Sequence, residues 1–379
     1  MKNPLLIAIF GIAVAGITFG LVSPVTVILL ETNHTPSWVT GLVTTMLYIS
    51  IVLFSSLTGK LIEKYNIKKV LSWGLLIVSV CSIGLIFWRN YYILFPARFL
   101  QGIGVTFIFV ATEVLINTTS DETNRGKNIG LYVMFLSIGI AVGTMLIWTV
   151  RIYEWLPFVI GALTILFVYI FEWFLLVELK PVEELEKKEA NFPFKMMPVV
   201  ALFSSAVYGI FESSITIVIP LFGLRSRFSE EEVSLFLGAY VIGGIILLYL
   251  IGRASDRISK FKLLLIVSGV LSILFLLPGF FPDRVLLTVI FFIIGGFVPA
   301  FYTVGLTYTV ERVDKAYVAQ ANGHFAMSYG IGTLAGPVAG SMLVEFNRQY
   351  AFWIASAILC LSFLVYFSFF YGRKNRLRP

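Results

Sequence analysis

Charge is what this sequence has least of. Of its 379 residues only 13% are Asp, Glu, Lys or Arg, 58% are hydrophobic, and the mean hydropathy is +0.92. A soluble domain carries roughly a quarter charged residues. No globular core of this size could bury so much apolar surface, so a soluble enzyme is excluded and a polytopic membrane protein, with apolar side chains facing lipid, is implied. Histidine and cysteine are scarce too, at two each. Cys81 and Cys360 both fall inside long apolar runs, which argues for buried small-hydrophobe roles and against a disulfide framework. There is no Cys/His cluster and no HExxH pair to hold a metal, and no GxxxxGK[ST] loop to bind ATP phosphates. Neither a carboxylate pair nor a nucleophile with a base stands out. The chain is therefore expected not to be an enzyme, to need no cofactor, and to draw energy from an ion gradient.

What is present is a series of apolar runs between polar clusters. Their approximate spans are 4–30, 38–59, 69–88, 92–117, 128–150, 155–177, 197–222, 232–252, 262–281, 284–310, 317–344 and 349–371. At roughly 20 residues per crossing, twelve helices leave only short connections and no room for a sizeable extramembrane domain. The first run follows Lys2 and is too long for a signal-peptide core, so it reads as a retained span. With the amino terminus inside, 21 of the 28 Lys and Arg lie on the cytoplasmic side, six lie outside, and Arg98 falls within a span. The net charge of +7 thus reports topology rather than nucleic-acid binding. The longest connection, ELKPVEELEKKEANFPFK, is charged and mixed in sign, as a linker with a short amphipathic helix would be. The expected organisation is an N-terminal six-helix half (1–177), a cytoplasmic linker (178–196) and a C-terminal six-helix half (197–379). Both termini would be cytoplasmic, the location the cytoplasmic (inner) membrane, and the protein a monomer.

Shifting the sequence against itself by 193 residues exposes a repeat. Gly59 and Glu63, in GKLIEKYNIKKV, fall on Gly252 and Asp256, in GRASDRISKFKL. At the same shift Gly130, Gly139 and Gly143 of the fifth span fall on Gly323, Gly332 and Gly336 of the eleventh. Parallel six-helix repeats of this kind are a transporter architecture, with a cavity expected between the halves near the midplane.

These residues carry a family resemblance. The acidic-basic loops after spans two and eight resemble the cytoplasmic signature of the major facilitator superfamily, Gly-x-x-x-Asp-Arg followed by basic residues. RFLQGIG, from Arg98 to Gly104, is similar to the fourth-span signature of its proton-coupled members. GHFAMSYGIGTLAGPVAG, from Gly323 to Gly340, is similar to the glycine-rich Gly-Pro signature that drug exporters carry in the fifth span. The finer pattern of TEVLIN (112–117), RGKNIGLYVM (125–134), GIFESS (209–214), IPLFGLR (219–225) and GRASDR (252–257) resembles the YcaD-like group of that superfamily. The resemblance implies an all-α fold of twelve transmembrane helices in two pseudo-symmetric bundles, a small-molecule substrate, and a role for Arg98 in proton coupling. The sequence departs from the pattern in three places. Glu63 replaces the usual Asp, Asn66 replaces a Gly, and Thr144 stands where the fifth span would carry proline, which appears instead as Pro337. The antiporter-type kink thus falls in the second half, and by itself that motif does not argue for drug export.

Charges inside the bilayer are the best functional pointers, because each is costly unless partnered or placed at an aqueous cavity. Glu212 lies about half way along span seven, and Ser205, Tyr208, Glu212 and Thr216 share one helical face. Such a carboxyl group can bind a proton, or a cationic substrate, in alternation as the cavity opens to each side; the plainer alternative is a structural hydrogen bond to a neighbouring helix. Arg98 and Glu113 share span four but stand roughly 22 Å apart along its axis, so they cannot pair. Arg98 is either a coupling residue or snorkels to the outer headgroups. Glu113 either gates across the halves or holds Arg125 or Lys127. Gly59, Glu63, Lys64, Gly252, Asp256 and Arg257 form candidate conformational latches at the inner side. Gly139, Gly143, Gly332, Gly336 and Pro337 are expected to serve helix packing or bending. His324 could titrate near neutral pH but reads more simply as an interfacial contact, Glu172 reads as an interface residue beside Trp173, and His34 as an outer-loop residue with no role.

The function expected is secondary active transport by alternating access, with proton-coupled efflux of a small organic or amphipathic molecule. The partners are that substrate, protons and the lipid bilayer, and no nucleic acid. A proton-coupled importer or a lipid-type flippase on the same scaffold is the alternative.

Overall fold

A computed structural model describes residues 4–120, 124–176, 196–281, 283–313, 317–347 and 350–371. The proposed linker helix, the side chains of Arg125, Lys127 and Asp256, and the basic carboxyl-terminal tail lie outside the described residues. Among those described, every regular element is helical. The chain divides into two compact units, Met1–Lys187 and Lys188–Pro379.

The first unit holds α1 (Pro4–Thr32), α2 (Ser37–Tyr65), α3 (Ile67–Gly84), α4 (Tyr91–Thr119), α5 (Arg125–Met145) and α6 (Leu156–Leu175). The second holds α7 (Val199–Arg225), α8 (Glu230–Arg257), α9 (Lys260–Leu274), α10 (Arg284–Arg312), α11 (Val318–Phe346) and α12 (Ala351–Tyr366). Counting the short helical turns that carry α3 to Phe87, α5 to Arg151, α9 to Phe280 and α12 to Phe369, eleven of these segments are long and apolar enough to cross a bilayer. The other, α11, has 29 residues, about 43 Å at 1.5 Å per residue; its glycines and polar residues dilute its hydropathy. Span ten, read from the sequence as one run with a proline at which it could bend, is interrupted there. It breaks at Val298–Pro299, between Arg284–Phe297 and Ala300–Arg312, because proline lacks an N–H and its ring opposes the carbonyl four residues back.

Each unit repeats the other's internal pairing. In the first, α1 packs on α5, α2 on α4 and α3 on α6; in the second, α7 packs on α11, α8 on α10 and α9 on α12. The 193-residue shift holds down to single atoms. A Cβ on Gly139 would fall on the carbonyl oxygen of Ala13, and one on Gly332 on that of Ala206, its equivalent. Gly143 stands likewise against the Ile17 carbonyl and Gly336 against that of Ile210. Helices can approach this closely only where side chains are absent. The turns repeat as well. Thr35 N–H donates to Leu30 O and Phe228 N–H to Gly223 O, both at 2.9 Å, closing α1 and α7 in the same way. The preceding residues, His34 at φ 56° and Arg227 at φ 67°, both take the left-handed conformation such helix ends use.

Asn66 explains one departure from the family pattern. It sits at φ 82° and ψ 159° between α2 and α3, an extended positive-φ conformation that glycine adopts freely and that strains any other residue. Its Oδ1 accepts the N–H of Lys69 at 2.9 Å and caps α3. The equivalent Ser259 caps α9 through Lys262 N–H at 3.4 Å, from an ordinary φ of −57°.

Candidate substrate and coupling site

In the second unit Glu212 and Tyr208 project half-buried from α7. Tyr329 of α11, three residues before Gly332, reaches back across the glycine-mediated contact and donates its hydroxyl to Glu212 Oε2 at 3.1 Å. Its ring stacks on Tyr208, centroids 5.5 Å apart and planes at 21°. Tyr302 of α10 meets both, at 5.3 Å from Tyr208 and 5.5 Å from Tyr329, and rests on Phe325 at 5.1 Å. Among the described residues Glu212 has no ion pair, and Tyr329 is its hydrogen-bond partner. Ser205, on the same face of α7, is fully buried and donates to the Phe325 carbonyl at 2.7 Å, so its hydroxyl joins α7 to α11. Thr216 turns back on its own helix, bonding Ser213 O at 3.1 Å.

Arg98 lies in the first unit, only 2% exposed. Its guanidinium donates to Gln101 Oε1 at 2.8 Å, to Ser23 Oγ at 3.3 Å and to Val22 O at 3.5 Å, while Nε is buried without a partner. It is thus clamped between α1 and α4 and does not snorkel to headgroups. Glu113, also on α4, is exposed, and its partner in the loop expectation falls on side chains outside the description. Glu172, read as an interface residue, is instead buried at 5% exposure with Oε2 unpartnered, wedged against Gly11 of α1. The sequence placed it at a span end beside tryptophan; packing of α6 on α1 turned it inward.

The latch residues stand apart from these groups. Glu63, Lys64 and Arg257 are exposed, with the Lys64 ammonium 5.0 Å from the Tyr65 ring centroid. A Cβ at Gly59 or Gly252 would meet nothing within 4 Å, and the same holds at Gly130 and Gly323. Nearby, Lys260 Nζ pairs with Glu311 at 2.8 Å, tying the start of α9 to the end of α10. Sequence reasoning missed Tyr302, Tyr329, Gln101 and Ser23. Tyr329 sits three residues before a repeat glycine, and Gln101 three residues after the arginine, the spacing that puts side chains on one helix face; those were the available signals.

The repeat isolates what is peculiar to each unit. Shifted back by 193 residues, Tyr208, Glu212, Tyr302 and Tyr329 fall on Ala15, Phe19, Phe109 and Leu136. Phe19 and Phe109 make a plain ring contact at 5.4 Å. Conversely Arg98 and Gln101 fall on Phe291 and Ile294, both buried in the second unit's core. The same scaffold therefore carries one buried cation in the first unit and one acid among tyrosines in the second.

Two repeated six-helix units with rare polar groups at mid-helix define a multi-pass membrane transporter rather than an enzyme. The chain belongs to the Major Facilitator Superfamily, whose family model matches residues 8–224 and 201–379. It is 26% identical over 339 residues to the uncharacterized MFS-type transporter YfkF of Bacillus subtilis, covering 88% of this chain and 87% of that one. To the uncharacterized MFS-type transporter YcaD of Escherichia fergusonii it is 21% identical over 374 residues, covering 96% and 94%. Its fold is that of the nucleoside transporter NupG, at TM-score 0.76 and 18% identity over 97% of this chain and all of that one. A bacterial homologue of the human lysosomal transporter Spinster, in an inward-facing and occupied conformation, shares it at TM-score 0.77 and 15% identity, covering 98% and 96%.

Proposed function

We propose that this transporter works by alternating access and exports a small organic molecule in exchange for protons, with Glu212 as the group that carries the proton. The observation behind this reading is an acid half way along α7 with a tyrosine hydroxyl as its hydrogen-bond partner and no ion pair among the described residues. A carboxylate accepts the Tyr329 hydroxyl, whereas a protonated carboxyl group becomes a donor itself, so proton uptake changes both charge and hydrogen bonding at one place. Substrate and proton can then compete for that single group, which is the minimum an exchanger needs. On the same reading Arg98 acts from the first unit as a fixed cation, Glu113 serves the inner end of α4, and the Gly59–Lys64 and Gly252–Arg257 segments are latches. Residues 178–196 link the two six-helix halves, with both termini cytoplasmic in the inner membrane.

A second reading is proton-coupled import on the same scaffold, because a carboxyl group that alternates between proton and substrate does not by itself set the direction of transport. Proteoliposomes with an imposed pH gradient test coupling and direction together, using compounds first found by thermal stabilisation of the purified protein. Flux of such a compound should follow the gradient, and Glu212→Gln should abolish that dependence. Flux indifferent to both the gradient and Glu212→Gln would remove the proposal; flux running with the proton influx would replace export by import.

A further inference from the structure

Beyond proton handling, and resting on the reading that Glu212 belongs to the transport site, we infer that Glu212 with Tyr208, Tyr302 and Tyr329 forms a recognition site for an organic cation such as a quaternary or protonated amine. Three independent features carry this. The acid forms no ion pair among the described residues, so its negative charge is available to a ligand. Tyr329, whose hydroxyl reaches the acid, belongs to a cluster of three tyrosine rings in mutual contact at 5.3 to 5.5 Å. A cation within about 6 Å of such a ring is drawn to its face, and rings beside a carboxylate are the usual way of holding an ammonium group that has shed its water. Because the rings touch one another, they form a wall and not a closed box; the cation would lie against the outer face of the cluster, beside the carboxylate.

The third feature is the contrast between repeats. The first unit builds the same helix contacts with Ala15, Phe19, Phe109 and Leu136 at the equivalent positions. The scaffold therefore does not require an acid or three phenols here, so helix packing alone does not account for their presence in the second unit. Other ligand classes fit less well. Calcium or magnesium wants about six oxygen ligands, and one carboxylate with neighbouring phenols falls short. An anion would be repelled by Glu212.

The test is equilibrium binding to the purified full chain in detergent, without any gradient, so that it is separate from coupling. The probes are benzyltrimethylammonium, tetraphenylphosphonium and choline, with benzoate and the uncharged choline analogue 3,3-dimethylbutanol as controls. At least one cation should raise the unfolding midpoint while neither control does. Glu212→Gln, which keeps the side chain's shape, should weaken that binding on the order of 10-fold or more. Tyr302→Leu should weaken it roughly 3- to 10-fold, and Tyr302→Phe, which keeps the ring, should restore it. Failure of all three cations to stabilise the wild type, equal binding of the controls, or cation binding unchanged by Glu212→Gln overturns the inference. If gradient-driven flux still depends on Glu212 in that case, the coupling role stands without the cation site; if cation binding depends on Glu212 but flux ignores the gradient, the converse holds.

Discussion

Replacing glycine by alanine at eight positions should split them into two groups that the packing foretells. At Gly139, Gly143, Gly332 and Gly336 the added methyl group would collide with backbone carbonyl oxygens of α1 or α7. Backbone cannot swing aside as a side chain can, so the helices must part. Overpacking of this kind costs about 1–3 kcal/mol, and alanine's helical advantage over glycine returns only about 0.5–1 kcal/mol. The net expectation is destabilisation by about 1–2 kcal/mol at each, with Gly139 matched to Gly332 and Gly143 to Gly336. At Gly59, Gly130, Gly252 and Gly323 the methyl group meets nothing within 4 Å. There alanine should leave stability unchanged or raise it by about 0.5–1 kcal/mol. Thermal unfolding of the eight purified variants in one detergent reads this directly as lower midpoints for the first four and equal or higher midpoints for the rest. The reasoning is refuted if Gly139→Ala and Gly332→Ala melt with the wild type, or if the second four melt early. Transport adds a further discriminant. If Gly59 and Gly252 belong to latches, their alanine variants should lose flux while keeping stability.

Gly11→Ala should destabilise the first unit by about 1–3 kcal/mol, because its methyl group runs into the buried Glu172 carboxyl group. Adding Glu172→Ala should recover part of that loss, and a double-mutant cycle by thermal unfolding showing strict additivity would disprove the contact. At Asn66, glycine gives up the cap, a few tenths of a kcal/mol, but relieves the strained backbone, about 1–3 kcal/mol, so it should melt at or above the wild type, whereas alanine keeps the strain and loses the cap, for about 1 kcal/mol of destabilisation. Equal midpoints for the two variants would contradict the assigned turn.

Much of this fold could be read from the chain because bilayer crossing leaves a long, one-dimensional signal. The apolar runs gave the helices to within about seven residues at either end, and Pro299, a position where a helix is expected to bend, interrupts span ten outright. Asn66 shows the limit. As a replacement for glycine it looked like a blemish in a loop, yet it takes the unusual backbone angle and caps the next helix. His34 likewise carried no message until Arg227 was found in the same conformation one repeat later. Ser205 and Glu212 share a helix face, as their spacing requires, but one hydroxyl binds a backbone carbonyl in the packing while the other group stands half-buried among rings.

The sequence by itself determined that this protein lives in a membrane, that it is a doubled six-helix unit, and to which superfamily it belongs. Those properties are written in composition, in period and in motifs that repeat at a fixed shift. Only the tertiary structure decided which groups meet. Tyr329 reaches Glu212 across 117 residues of chain, and Arg98 meets Ser23 across 75. Helical spacing says which residues share a face; it does not say which neighbouring helix that face will touch, and that choice is made by glycines that let two backbones come together.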